Sequence, residues 1–199
     1  MTRTPHAHLP RPRHRGALVA AAAVGVVLAA TVCTDTAAAR TIGNFEVGGA
    51  IEAKYDQAGG TAAFGDPVTP ESDAGHGGKF QAFERNGSIY WSIGTDAHQV
   101  GGYIRDKWGS LGWENGALGY PITDETQAGK NDGRYNLFGG GGIYWSPATN
   151  AHAVWGNIRT TWEGSGAETG RYGYPTSDEY DYQDGKAQDF QGGRITWNP

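Results

Sequence analysis

Two histidines recur in one local setting, His98 in Ala97-His98-Gln99-Val100 and His152 in Ala151-His152-Ala153-Val154. With Asp96 nearby and hydroxyls at Ser92 and Ser146, they offer the parts of a nucleophilic site, where a base held by a third group activates an oxygen. Against this, Asp96 becomes Asn150 in the second setting and no Gly-x-Ser-x-Gly turn occurs, so the residues favour structural histidines in hairpin turns. Carboxylates at Glu71, Asp124-Glu125 and Asp178-Glu179 could ligate a hard cation or act as an acid/base pair. Each place supplies only one or two, and a Thr or Ser two residues ahead is turn or N-cap chemistry. No metal, cofactor or catalytic residue is expected. Aromatics suit another chemistry, because a ring face stacks on the apolar face of a sugar while neighbouring Asp, Asn and His groups bond its hydroxyls. Tyr120 and Tyr174 stand between Gly and Pro, and Tyr90, Tyr144, Trp113 and Trp155 are further rings not needed by every copy's core. The candidate ligand-binding residues are therefore Tyr120, Tyr144, His152, Tyr90, His98, Tyr174 and Trp113, against the alternative that these rings pack between structural units.

The elements that must position them come in repeats. Pro67, Pro121 and Pro175 are spaced 54 and 54 apart, as are Gly65, Gly119 and Gly173, and Glu71, Glu125 and Glu179. Phe83, Phe138 and Phe190 then precede Ile89-Tyr90-Trp91, Ile143-Tyr144-Trp145 and Ile195-Thr196-Trp197. A period of this size marks supersecondary units that need their neighbours to bury a core. Within a unit the Ile-Tyr-Trp run reads as a strand of a short hairpin, with Ile and Trp inward and Tyr outward. Ile104 to Trp108 carries an i, i+4 apolar pair and reads as one or two helical turns ending at Gly109.

After Trp197 the third copy has no Ala-His-x-Val segment, whereas Val47 precedes Ile51 as Val100 precedes Ile104. The expectation is a mainly β, pseudo-symmetric, propeller-like array of three copies, about 47–100, 101–154 and 155–199, closed when Thr41 to Val47 supplies the absent strand. Closure would remove free strand edges.

Leu118-Gly119-Tyr120-Pro121 with Thr123-Asp124-Glu125, and Gly142-Ile143-Tyr144-Trp145-Ser146-Pro147 with Ala151-His152-Ala153-Val154, make the chain resemble the LGFP-repeat family of secreted actinobacterial proteins. The resemblance covers about Val47 to Trp197. It implies an envelope-associated module that assembles pseudo-symmetrically and holds at wall polysaccharide. The leading functional expectation is a non-enzymatic glycan-binding module. Two others stay open: an adaptor subunit of a secreted complex such as a toxin particle, donating Arg40 to Gly49 as a strand to another secreted protein, and a hydrolase of wall esters or glycans. The expected partner is wall polysaccharide or a secreted protein, without nucleic acid or a membrane span.

Residues 1–39 read as a signal peptide: Arg3, Arg11, Arg13 and Arg15 precede an apolar run from Ala17 to Ala30, and Ala37-Ala38-Ala39 suits signal peptidase. The run is shorter than the roughly 20 residues that span a bilayer. Its removal takes Cys33 with it unless that residue is retained as a lipoprotein cysteine, and leaves 12 basic and 20 acidic side chains on residues 40–199. Such an acidic balance disfavours nucleic acid. Without Cys, the domain must fold on a core rich in Trp, Tyr and Phe, each burying about 150–250 Å². The protein is expected to be extracellular or wall-associated. N-terminal sequencing of protein recovered from a producing culture should begin at Arg40; material starting at Met1 in the supernatant would overturn the leader assignment.

Overall fold

The computed structural model describes residues 38–85 and 87–199, so the expected leader lies outside them apart from Ala38 and Ala39. A hairpin of β1 (Arg40–Ile42) and β2 (Phe45–Val47) leads into helix α1 (Gly49–Gln57) and the short α2 (Gly60–Phe64). An antiparallel meander follows, β3 (Ser72–Asp73), β4 (Lys79–Phe83), β5 (Gly87–Ser92) and β6 (Asp96–Gly101), paired in chain order. The pattern repeats as α3 (Gly102–Ser110) with β7 (Thr126–Gln127), β8 (Arg134–Phe138), β9 (Gly141–Ser146) and β10 (Asn150–Trp155). It repeats again as α4 (Gly156–Gly164) with β11 (Tyr180–Tyr182), β12 (Gly185–Phe190) and β13 (Gly193–Trp197). The described residues are thus mainly β, in four small antiparallel sheets and three copies.

The recurrent Gly and Pro have separate jobs. Gly65, Gly119 and Gly173 have φ of 73, 65 and 65, a left-handed conformation that glycine adopts without a steric penalty. Two residues on, Pro67, Pro121 and Pro175 each form an isolated antiparallel bridge to Phe83, Phe138 and Phe190. The turn therefore folds back onto the second strand of its own sheet. At the β5–β6 and β9–β10 turns, Asp96 and Asn150 have φ of 62 and 64, which Asp and Asn tolerate better than most side chains. Backbone conformation is what this pair shares, and it accounts for the exchange of a carboxylate for an amide.

Each helix buries the i, i+4 pair foreseen for α3: Ile51 and Tyr55, Ile104 and Trp108, Ile158 and Trp162. The helices are nine residues long, about two and a half turns. Three apolar clusters result, each built around one helix, the turn after it and the sheet that follows, and those around α3 and α4 also take Tyr90 with Val100 and Tyr144 with Val154 from the preceding sheet. Because α1 lies on β5 and β6 and α3 contacts those strands as well, the first sheet is covered on both faces. Tyr90, expected to point outward, is 5% exposed, and Ile89 beside it is fully buried. Tyr90 meets Trp108 edge-on at 4.6 Å and Tyr144 meets Trp162 in the same way. The alternation is as expected, but neither face is a solvent face. The Trp residues, expected as inward anchors, sit at the strand ends: Trp91 and Trp145 are half-buried and Trp197 is 39% exposed.

The expected closure does not form. β1 pairs with β2 and β13 with β12, leaving an open array among the described residues. Val47 runs straight into α1 and is fully buried with Ile51, Tyr55, Phe64 and Ile89, so the N-terminal hairpin covers the first copy and cannot reach the third. At the far end the outer face of β12 and β13 is polar. Arg194 and Thr196 stand where β5 has Ser88 and Tyr90, Asp189 replaces Ala82, and Arg194 bonds Asp189 at 2.7 Å while lying over Tyr182. Terminal repeats of stacked proteins need such a polar outer face.

Urea unfolding should register Tyr90→Ala as a loss of about 3–5 kcal/mol and Trp197→Ala as about 1 kcal/mol or less. Equal costs would show that the two faces are assigned wrongly.

Candidate functional site

The copies are joined by polar side chains that recur at each junction. Gln81, Asn136 and Gln188, all fully buried, each use one amide nitrogen to bond two carbonyls. One carbonyl belongs to the strand before the helix (Glu46, Gln99, Ala153) and the other to the copy's own Pro turn (Thr69, Thr123, Ser177), at 2.8–3.0 Å. Asp124 and Asp178 form a second set. Asp124 accepts from Lys54 at 2.8 Å and from the Gln99 N–H at 3.0 Å, and lies 3.3 Å from His98 Nδ1. Asp178 repeats this with Lys107, the Ala153 N–H at 3.2 Å and His152 at 3.4 Å. Burial pushes Asp178 up, but bonds from His152 and Lys107, with the Lys107 charge and the Ala153 N–H, outweigh it and hold its pKa at about 2. Thirdly, Glu114 accepts the Gly75 N–H at 2.7 Å while the Tyr120 hydroxyl donates to the Gly75 carbonyl. Glu168 and Tyr174 grip Gly129 and Lys130 in the same way. A Cβ on Gly78 or Gly133 would sit 2.2 or 2.1 Å from the Tyr120 or Tyr174 hydroxyl, so close approach needs glycine there.

These junctions absorb the residues expected to bind ligand. Tyr120, expected exposed on a loop, is 8% exposed, and Tyr174 is fully buried; the hydroxyl bonds to the preceding copy draw both rings inward. Tyr90, Tyr120 and Trp113 meet around Trp108, and Tyr144 and Tyr174 belong to the next cluster around Trp162. Trp113 stacks on Tyr90 at 6.4 Å with Arg105 over its ring at 5.5 Å. None of these five rings presents an open face to a sugar. His98 and His152 lie at different junctions, and His152 Nε2 donates to the Thr149 carbonyl at 2.9 Å. Ser92 and Ser146 bond Thr95 and Thr149, each at 2.8 Å. The Thr or Ser of each Pro turn accepts a strand N–H, as Thr123 does from Leu137 at 2.9 Å, instead of capping a helix. No group of three or more His, Cys, Asp or Glu disposed to hold a metal occurs among the described residues, and none of their helices is long and apolar enough to cross a membrane.

An open cleft lies instead between the first two copies. It has a volume of about 590 Å³, with Arg85, Gln99, Tyr103, Glu125, Arg134 and Trp145 among its walls. Tyr103, second residue of α3, is 63% exposed and lies parallel to Trp145 at 5.7 Å and 9°. Trp145 backs the ring and leaves its outer face open. Arg134 stands directly opposite Trp145 in the β8–β9 ladder. Burial raises the Glu125 pKa, partly offset by the Arg134 charge and the Gly101 N–H. An aromatic platform flanked by guanidinium, carboxylate and amide groups combines stacking with hydrogen bonds of both senses.

The expected residues missed this cleft, although its parts are visible in sequence. Tyr103 falls where the other copies have Ala50 and Asn157, so only a comparison of departures between copies would have singled it out. The buried amides carried a plainer signal, an Asn or Gln two residues before each recurrent Phe. Lys54 and Lys107 directly precede the helix aromatics.

A family model described as LGFP repeat matches residues 64–116, 118–170 and 173–199. No curated protein matches the chain.

Asp178 has a folded-state pKa below its ordinary 3.8, so the unfolded chain takes up its proton first as the pH falls. Its stabilisation is complete above the ordinary value and is lost as the pH drops toward about 2. Asp178→Asn should lower the melting temperature at neutral pH, and its gap to the unsubstituted protein should narrow across that acid window. A gap that widens on acidification would contradict the junction chemistry.

Proposed function

The chain belongs to the LGFP-repeat family, and on that footing we propose that it is an exported, non-enzymatic module that binds polysaccharide of the cell envelope. The observation carrying this reading is the platform of Tyr103 on Trp145, an exposed ring held flat at the edge of a cleft with hydrogen-bonding groups on several sides. A large ring standing 63% in solvent contributes little to the core, and stacking on a sugar gives it a use. The non-enzymatic part is supported by the bonding of His98, His152, Ser92 and Ser146, each engaged in a turn or junction. The adaptor alternative has less support, since its donor segment, Arg40–Ile42 and Phe45–Val47, is already paired as a hairpin.

Co-sedimentation of the protein with purified actinobacterial wall polysaccharide tests the reading. The unsubstituted protein should pellet with the polymer. Tyr103→Ala should weaken retention about tenfold, as expected for loss of one stacking face, with an unchanged melting temperature. Protein that stays in the supernatant at every polymer concentration would overturn the glycan reading.

A further inference from the structure

The three junctions share one motif: a Trp at the end of the third strand with a cation directly across the ladder, Lys79 opposite Trp91, Arg134 opposite Trp145 and Lys186 opposite Trp197. In the outer two copies an acidic partner on the next strand neutralises that cation. Asp73 faces Lys79 and bonds it at 2.5 Å; Asp181 faces Lys186 and bonds it too. In the middle copy that place is Gln127, facing Arg134. Arg134 therefore has no ion pair within 4 Å among the described residues, while its charge still acts on Glu125. Three departures converge on this junction. An amide replaces the acid, a forked guanidinium replaces an ammonium, and Tyr103 replaces Ala50 or Asn157.

A fourth departure adds a second cation. Arg85, on the β4–β5 turn, lines the same cleft, whereas the corresponding turns read Gly139-Gly140 and Gln191-Gly192. Glu125 recurs as Glu71 and Glu179, so it does not distinguish the junctions. Asp132 also lines the cleft and is exposed on the β7–β8 loop. In a chain of net charge −5, two arginines beside an exposed ring, one of them relieved of the acid its counterparts carry, match an anionic group attached to a ring. Guanidinium binds carboxylate or phosphate through paired parallel hydrogen bonds that a lysine cannot make.

We infer that this cleft is a site for an acidic saccharide, its ring seated on Tyr103 and its carboxylate or phosphate held by Arg134 with Arg85 at hand. The inference rests on the glycan reading and narrows its ligand. It also makes the copies unequal: the middle junction carries the complete set, and the equivalents at Trp91 and Trp197 are self-neutralised.

Affinity electrophoresis of the protein through gels containing a uronate polysaccharide, a teichoic phosphodiester polymer or a neutral wall polysaccharide tests this. Retardation should be about tenfold stronger with the uronate or the phosphodiester polymer than with the neutral one, and should fall as salt rises. Which anionic polymer retards more identifies carboxylate or phosphate as the group bound. Gln127→Asp, which restores the acid of the outer copies, should abolish the preference without lowering the melting temperature. Asp73→Gln combined with Ala50→Tyr and Lys79→Arg should raise the number of oligosaccharides bound per chain from one to two by calorimetry. Equal retardation by all three polymers, unaltered by Gln127→Asp, would overturn the acidic-ligand inference and leave the glycan reading standing. Retardation by none would overturn both.

Discussion

Every junction depends on one buried side-chain amide. Gln81, Asn136 and Gln188 each hold, through a single nitrogen, a carbonyl of the strand before the helix and a carbonyl of the Pro turn after it. Both carbonyls face into the junction, and a buried unpaired carbonyl costs about 1–3 kcal/mol. The amide therefore sets the distance between the incoming strand and the outgoing turn. Within that span the helix lies at a fixed height, and its aromatic tip bonds the carbonyl of the left-handed glycine: Tyr55 to Gly65 at 2.9 Å, Trp108 to Gly119 at 3.2 Å, Trp162 to Gly173 at 2.9 Å. Strand, helix, turn and sheet are thus locked by polar contacts inside an otherwise aromatic core.

Departures from the repeat track what each copy packs against among the described residues. Tyr120 and Tyr174 reach back to the preceding copy's loop. In the first copy Asp66 stands at that place, its carboxylate close against Gly43 of the β1–β2 turn and its N–H bonded to Glu84 of its own copy. Pro70 occupies the place of Asp124 and Asp178, and among the described residues no helix before α1 offers a lysine there. In the third copy Thr196 stands in place of the buried Tyr, on a face that no helix covers among the described residues. Differences that suggest degraded copies thus match, in three dimensions, what each copy meets in the described stack.

The middle junction departs differently. Tyr103, Gln127 and Arg134 have two neighbours to pack against and no end to cap, so stacking does not explain their change. Tyr103 and Arg134 line one cleft and Gln127 stands across the ladder from Arg134, with the outer junctions as internal references for what the scaffold alone requires.

The repeat, its period and the pairing of Ile104 with the aromatic four residues on were legible in sequence, because helical periodicity is written in residue type and spacing. The spacing of Gly65, Gly119 and Gly173 and of Phe83, Phe138 and Phe190 marked recurrent positions, whereas their left-handed turns and Pro–Phe bridges emerged only in the structure. Tertiary structure alone decided which face of each strand meets water, since a period of two identifies two faces without saying that helices cover both. For that reason Tyr90 and Tyr144 are core and Trp197 is not. It also decided that Phe45–Val47 folds onto the first copy instead of closing a ring, because a strand's partner depends on where its neighbouring helix holds it. The cleft belongs to the same class: Arg85, Tyr103 and Arg134 are far apart in sequence, and only the stacking of two copies brings a turn, a helix start and a strand to one place.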